Sequence, residues 1–264
     1  MEYLQDAHNH HAERESDGAF SPRHHSKDDK DHQFDHEAIL GSKKEAEEFD
    51  DLSPEEAKRR LEILLTKMDR DKDSSIDRKE LYSWILRSFK ALSQEDSDER
   101  FDEADVDEDG FVTWGEYIED EYDFEEHEKP DMSDPHIAED FKMMAEDKYL
   151  FNGADKNGDE KLDKAEYLAF THPEEDPDMK PHVINQILTE KDTDKSGDIS
   201  FQEYIGDRGQ DKDKEWLIEE KDRFDNELDK NTDNVLNQEE IAAWIIPSNE
   251  EIANEEVELQ SSVM

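Results

Sequence analysis

Apolar residues recur along the chain at the spacing of amphipathic helices, in pairs of helices that an acidic stretch separates. A first helix is predicted to end near Met68, and a second carries Leu81, Trp84 and Ile85 on one face. The twelve residues between these helices are polar apart from Ile76. The same order of helix, acidic loop and helix returns further along, so the sequence predicts an all-α fold of helix-loop-helix units.

The acidic loop is an internal repeat. Five twelve-residue copies begin at Asp69, Asp105, Asp155, Asp192 and Asp229, which lie 36, 50, 37 and 37 residues apart. Each copy has Asp first, oxygen-bearing side chains at the third, fifth and ninth positions, an apolar residue at the eighth and Glu at the twelfth. A run of solvated charge has no reason to keep this register, so the copies indicate a repeated structural unit.

The register of the repeat fits a calcium site. Ca²⁺ prefers about six to eight oxygen ligands, and an EF-hand loop supplies them from positions of this spacing, the seventh through its main-chain carbonyl. The terminal Glu binds bidentately and favours calcium over magnesium. Five such hands would hold up to five calcium ions. The predicted ligands are Asp69, Asp71, Asp73, Ser75, Asp77 and Glu80; Asp105, Asp107, Asp109, Phe111, Thr113 and Glu116; Asp155, Asn157, Asp159, Lys161, Asp163 and Glu166; Asp192, Asp194, Ser196, Asp198, Ser200 and Glu203; and Asp229, Asn231, Asp233, Val235, Asn237 and Glu240.

The sixth position distinguishes the five loops. The chain turns there with positive φ, which glycine adopts most easily. Gly110 and Gly197 meet this need in loops two and four, whereas Ser74, Glu160 and Asn234 occupy the position in the others. Asn tolerates left-handed backbone better than Ser or Glu. We therefore expect loops two and four to bind calcium best and loop three worst.

Each EF-hand buries its helices against a partner hand, and the apolar eighth residue suits a two-residue β-pairing between loops. The acidic stretch from Glu119 to Pro135 contains turn signals and predicts a boundary between two lobes. Hands one and two, and hands three and four, are therefore the expected pairs. An unpaired fifth hand would expose Trp244 and Ile245 and offer a surface for self-association. The predicted divisions are a disordered, acidic, His-rich tail (1–45), hands one and two (46–125), an acidic linker (126–137), hands three and four (138–210), and hand five (211–264).

The charge of the chain is strongly negative. It has 79 acidic and 32 basic residues, which give a formal net charge of −47. This charge disfavours direct binding to nucleic acid and to anionic membranes. The five loops contain only 23 of the acidic and 9 of the basic residues, so most of the surplus lies outside them. Repulsion of this size predicts a chain that is loose without calcium and compact with it.

Other features narrow the possible functions. Cysteine is absent, which excludes disulfides, thiolate metal sites and a thiol nucleophile. No stretch has the length and apolarity for membrane insertion, and the N-terminus lacks the core of a signal peptide. Seven of the eleven histidines lie in the predicted tail, where irregular spacing favours a solvated segment over a zinc site. No phosphate loop or activated nucleophile is present, so an enzyme is not expected.

Several segments outside the loops are not general EF-hand features. They are DHEAILG, AFTHPEE, QEYIGD, EWLIEEKDRF and AAWIIPSNE. From Asp35 to Glu258 the chain resembles the calumenin and reticulocalbin family of EF-hand proteins. The resemblance implies six paired EF-hands, low-affinity calcium binding in the lumen of the endoplasmic reticulum, and contacts with client or regulatory proteins. The sequence differs from the family pattern in three ways. It shows no signal peptide and no sixth hand, and its last residues, QSSVM, occupy the place of the family's retention signal. A splice variant or a fragment would account for these departures.

Two functions fit these features. The first is a calcium buffer and calcium-dependent, chaperone-like interaction module of the secretory pathway, which explains the acidic surplus outside the loops. The alternative is a calmodulin-like sensor that opens Met-rich grooves for target helices. Only seven methionines are present, which favours the first. Calcium affinity separates the two, since a sensor needs tighter sites.

Overall fold

The computed structural model describes residues 39–50, 52–124, 135–209, 212–246, 248–250, 252–254 and 257. It confirms the predicted all-α fold with short β-pairings. The helices are α1 Lys43–Asp50, α2 Pro54–Met68, α3 Arg78–Ala104, α4 Trp114–Tyr122, α5 Pro135–Ala154, α6 Lys164–Thr171, α7 Lys180–Lys191, α8 Phe201–Ile205, α9 Lys214–Arg223 and α10 Gln238–Ile245; the strands are β1 Val112–Thr113, β2 Lys161–Leu162, β3 Ile199–Ser200 and β4 Val235–Leu236. Among the described helices, none combines the length and apolarity needed to cross a membrane.

The pairing of the hands differs from the prediction. Strand β1 of loop two runs antiparallel to β2 of loop three, with Val112 opposite Leu162. Strand β3 of loop four pairs in the same way with β4 of loop five, with Ile199 opposite Leu236. Hands two and three therefore form one pair and hands four and five the other. The predicted pairs, one with two and three with four, are wrong.

Helix α3 explains the difference. It follows loop one and continues without interruption for 27 residues to the start of loop two. A helix of this length rises about 40 Å, so the loops at its two ends cannot pair with each other. No Gly or Pro interrupts its sequence. The division between compact units also falls in α3, between Glu99 and Arg100, and not in the acidic stretch from 119 to 135.

The unit that contains the described residues between 100 and 246 holds hands two to five around one core. The four apolar residues at the eighth positions of these loops are completely buried in it. Trp244 is 7% exposed and Ile245 is 1% exposed. The Trp244 ring packs edge-on against Tyr204 of hand four, with 5.2 Å between ring centroids. The expectation that hand five is unpaired and exposes these side chains is therefore wrong, and the surface proposed for self-association is buried within the chain.

The other unit contains hand one. Its core includes Leu64 and Met68 of α2 and Leu81 and Ile85 of α3, together with the C-terminal residues Ala253 and Val257.

The predicted tail contributes to the unit that contains hand one. Ile39 and Leu40 pack on its core, and the Trp84 indole nitrogen donates a hydrogen bond of 2.7 Å to the Ile39 carbonyl. The prediction that residues 39–45 belong to a disordered tail is therefore wrong. Lys43 is the first residue of α1. Residues 1–38, with the seven histidines, lie outside the described residues. Most of the predicted linker, 126–134, also lies outside them, and residues 135–137 belong to α5.

Candidate metal centres

The first Asp of each loop organises the turn. In all five loops its carboxylate accepts hydrogen bonds from two backbone amides, that of the fifth residue at 3.0–3.2 Å and that of the sixth at 2.8–3.0 Å. The side-chain oxygen at the third position accepts from the fifth amide at 2.9–3.1 Å. The loops therefore fold around their own acidic side chains, and the first- and third-position oxygens meet at the amide of the fifth residue.

The ninth and twelfth residues tie each loop to the helix that follows it. The ninth residue caps that helix in loops two to five, and the twelfth Glu completes a capping box. In all five loops the Glu carboxylate accepts the ninth amide at 2.8–3.1 Å. Loop one has the same arrangement, since Asp77 accepts the Glu80 amide at 2.8 Å. The helix start thus fixes the Glu carboxylate beside the other ligand positions.

Three loops bring carboxylates especially close together. Within each of three groups among the described residues, carboxylate oxygens lie within 4.8 Å of one another. The groups are Asp69, Asp71 and Asp73 of loop one, Asp105, Asp107 and Glu116 of loop two, and Asp192, Asp194 and Glu203 of loop four. Loops three and five have Asn157 and Asn231 at the third position, where the other three have Asp, so their third ligand is an amide oxygen.

The concentration of negative charge in loop one affects its acids. The Asp71 carboxylate accepts a hydrogen bond from the Asp73 amide, which favours its charge. Desolvation and the charges of Asp73, Glu80 and Asp69 outweigh this bond and raise the pKa of Asp71. A bound cation would relieve this repulsion.

Glu203 shows the opposite behaviour at the end of loop four. Burial opposes its charge, but hydrogen bonds from Ser200, Thr193 and the Asp194 amide outweigh burial and lower the pKa of Glu203 to about 2. The Ser200 hydroxyl donates at 2.7 Å and the Thr193 hydroxyl at 2.9 Å. Glu203 therefore stays ionised and available to a cation through the neutral and mildly acidic range.

The donor sets fit a hard divalent cation. The loops contain carboxylate, amide, hydroxyl and carbonyl oxygens, and they contain no Cys or His. The structure brings the side chains of the predicted first, third, fifth, ninth and twelfth ligands of each loop into one hydrogen-bonded turn. Ligation through the seventh-position carbonyls stays a prediction, as does the occupancy of each loop.

The structure reveals a second special position in the loops. Both the fourth and the sixth residues have positive φ, whereas the loop pattern predicts it only for the sixth. The fourth residues are Lys72, Glu108, Gly158, Lys195 and Thr232, with φ of 57–74°; the sixth are Ser74, Gly110, Glu160, Gly197 and Asn234, with φ of 67–89°. Loops two, three and four therefore each have one glycine at these two positions, and loops one and five have none. Gly158 was the available signal, and it removes the reason for placing loop three last.

Comparison with known proteins agrees with these sites. An EF-hand family model matches residues 98–119, and a model of an EF-hand domain pair matches residues 144–206. The second match spans hands three and four, which are consecutive along the chain but pair with hands two and five in the structure. No solved structure matches.

The curated relatives cover most of the chain. Reticulocalbin-2 of Crotalus adamanteus is 42% identical over 232 residues, which are 84% of this chain and 75% of that protein. Reticulocalbin-2 of Mus musculus is 36% identical and that of Rattus norvegicus 35% identical, each over 84% of this chain and 72% of the relative. Together with the EF-hand loops, these relatives confirm the resemblance, and the chain belongs to the calumenin and reticulocalbin family of calcium-binding EF-hand proteins.

Proposed function

We propose that this protein is a low-affinity calcium-binding protein of the secretory pathway, which buffers calcium and makes calcium-dependent contacts with client or regulatory proteins. The observation that carries the proposal is the hydrogen-bond framework shared by all five loops, since it gathers oxygen ligands at the positions that calcium requires. We propose up to five ions, one in each loop.

The backbone of the loops supports low affinity. Seven of the ten positions with positive φ in the five loops are occupied by residues other than glycine. A left-handed conformation costs such a residue about 1–2 kcal/mol. Calcium binding must offset this cost wherever the loop is not already ordered, so the sites bind more weakly than loops that carry glycine at these positions.

The charge outside the loops supports a buffering and interaction role. Five bound calcium ions would reduce the net charge only from −47 to about −37. The calcium-loaded protein therefore stays strongly acidic, which keeps it soluble and attracts basic segments of other proteins. Location in the lumen of the endoplasmic reticulum is proposed from the family and from the relatives named reticulocalbin-2. The chemistry of the loops gives their carboxylates a ligand role, and we propose no catalytic one.

The alternative function is a calmodulin-like sensor, whose calcium-loaded hands expose a Met-rich groove for a target helix. The described part of the chain places Met68, Met144 and Met179 in its cores, where each is less than a tenth exposed. This arrangement supports a compact binding protein over a sensor with an open groove.

Calcium titration calorimetry tests the proposal. We expect dissociation constants on the order of 10⁻⁴–10⁻³ M, as in extracellular calcium modules. Glu240→Gln is expected to remove one site, because the terminal Glu is the bidentate ligand of loop five. Glu239→Gln is the matched control, since this neighbouring exposed residue has no ligand position. Micromolar constants would favour the sensor, and a titration without binding heat at either concentration range would overturn calcium binding altogether.

A further inference from the structure

Hand one lacks the β-pairing that the other four hands share. Its eighth-position residue, Ile76, is half-buried and packs at the edge of the hand-one core, whereas the four equivalents in the other loops form two antiparallel ladders. In the described residues, no strand pairs with loop one. An EF-hand needs a partner surface to bury its two helices, so something else must cover hand one.

The described residues of the C-terminal segment, residues 248–257, contribute to the core of this hand. Its described residues from 249 onward are helical, and the Ile252 amide donates to the Ser248 carbonyl at 3.0 Å. Ala253 and Val257 lie four residues apart on one helical face and are 0% exposed. Asn254, next to Ala253, is exposed. The segment is therefore amphipathic, and its apolar face belongs to the hand-one core.

Two residues of the shared core are next to predicted calcium ligands in the chain. Met68, the last residue of α2, immediately precedes Asp69, and Leu81 of α3 immediately follows Glu80. Met68 and Leu81 are both buried in the same core as Ala253 and Val257. The helices that hold the first and last ligands of loop one are therefore held together by the core that the C-terminal segment completes.

We infer that the C-terminal segment takes the place of a partner hand for hand one and raises the calcium affinity of loop one. This inference rests on the proposed function for its calcium chemistry. Docking of the segment and binding of calcium both favour one arrangement of α2 and α3, so each strengthens the other. Coupling of this kind typically changes affinity by about 5- to 150-fold.

The test uses the full chain and hydrogen exchange resolved over the individual loops, measured at increasing calcium. Val257→Asp places a charge in the core and is expected to release the segment. Asn254→Asp adds the same charge at an exposed position of the same helix and is the matched control. We expect Val257→Asp to raise the calcium midpoint for protection of residues 69–80 by about tenfold, with loops two to five changed by less than about twofold. Asn254→Asp should leave all midpoints unchanged.

Three outcomes overturn the inference. The first is a loop-one midpoint that stays unchanged while exchange shows residues 248–257 released, and the second is an equal shift in all five loops. If Val257→Asp unfolds α2 and α3 even at saturating calcium, the milder variant Val257→Ala replaces it in the test, and we expect its loop-one calcium midpoint to rise about threefold. The third outcome that overturns the inference is an unchanged loop-one midpoint in Val257→Ala. Absence of calcium protection in every loop of the unaltered protein would instead overturn the proposed function as well.

Discussion

The two compact units cover their EF-hands in different ways. Between residues 100 and 246, four hands pair through their loops, and the apolar residue at the centre of each pairing is completely buried. In the other unit, hand one has Ile76 half-buried and no β-pairing among the described residues. Its core is completed by Ile39, which precedes α1, and by Val257, the last described residue.

This difference shows that the sequence of a loop does not by itself determine which other loop it pairs with. All five loops have the same hydrogen-bond framework and an apolar eighth residue. The connection between loops one and two explains why these loops do not pair, because it is a single helix, α3, that holds them apart.

Removal of calcium is expected to have the largest effect, and the two units should respond to it differently. Chelation should lower helicity and expand the chain, because repulsion between ligand carboxylates is no longer offset. Hand one should lose hydrogen-exchange protection at the highest residual calcium, since loop one has no glycine at its two positions of positive φ and, among the described residues, no β-pairing. Small-angle scattering measures the expansion between limits of about 18 Å for a compact chain and about 57 Å for an unfolded one. An unchanged radius on chelation would contradict the coupling of charge neutralisation to folding.

A matched pair of core substitutions tests whether the β-pairing stabilises one unit more than the other. Leu162→Ala removes a completely buried side chain from the centre of the β1 and β2 pairing and should lower the free energy of unfolding by about 3 kcal/mol. Ile76→Ala changes the equivalent residue of loop one and should cost about 1 kcal/mol, because Ile76 is only half-buried. Urea unfolding at saturating calcium, followed by hydrogen exchange in each unit, measures both. Equal costs would contradict the expectation that the paired loops depend more strongly on their eighth residue than loop one does.

The sequence predicted the five repeated loops, but it did not predict how the connections between them limit their pairing. The five loops, their ligand positions and the capping of the following helices depend on residues close together in the chain, so the register of Asp69 to Glu80 and its copies was sufficient. The failure of loops one and two to pair depends on the length of the helix between them. The uninterrupted sequence from Arg78 to Ala104 was the available signal. The acidic stretch after Glu119 predicts a break in helix correctly, since α4 ends at Tyr122, but the boundary between compact units lies elsewhere.

The covering of hand one could not be predicted from local pattern. Ala253 and Val257 are two small apolar residues in an acidic stretch, and Ile39 lies in a segment whose composition favours disorder. Their burial depends on contacts with residues far away in the sequence, which a local pattern does not contain.

Glycine substitutions are expected to change the affinities of single loops by about tenfold. Gly158→Ala in loop three and Gly110→Ala in loop two each place a side chain at positive φ, which costs about 1–2 kcal/mol. No atom lies within 4 Å of a Cβ added at either position, so the cost arises from the backbone alone. Gly206→Ala is the control, since Gly206 has positive φ outside the loops and no atom lies within 4 Å of an added Cβ, and it should leave the calcium midpoints of loops two and three unchanged. If Gly158→Ala has no effect while Gly110→Ala does, the original ranking that placed loop three last is restored.

The smallest expected effect concerns a contact that exists only where loops are paired. Lys161 of loop three lies with its Nζ 3.6 Å from a carboxylate oxygen of Asp109, the fifth-position residue of loop two, and 3.6 Å from the centre of the Phe111 ring. A tethered ammonium group beside a ligand carboxylate competes with calcium for its charge. Lys161→Gln should therefore raise the affinity of loop two by about two- to threefold, consistent with the small energy of exposed ion pairs.

Lys156→Gln provides the control for this substitution. Lys156 lies in the same loop, but its Nζ is 3.0 Å from Asp176 and from Asp178, neither of which has a ligand position. It should leave loop two unchanged. The gain from Lys161→Gln should also shrink as ionic strength rises, because salt screens exposed charges. A gain that persists at high salt would mean that Lys161 acts on loop two through the packing of β1 against β2 and not through its charge.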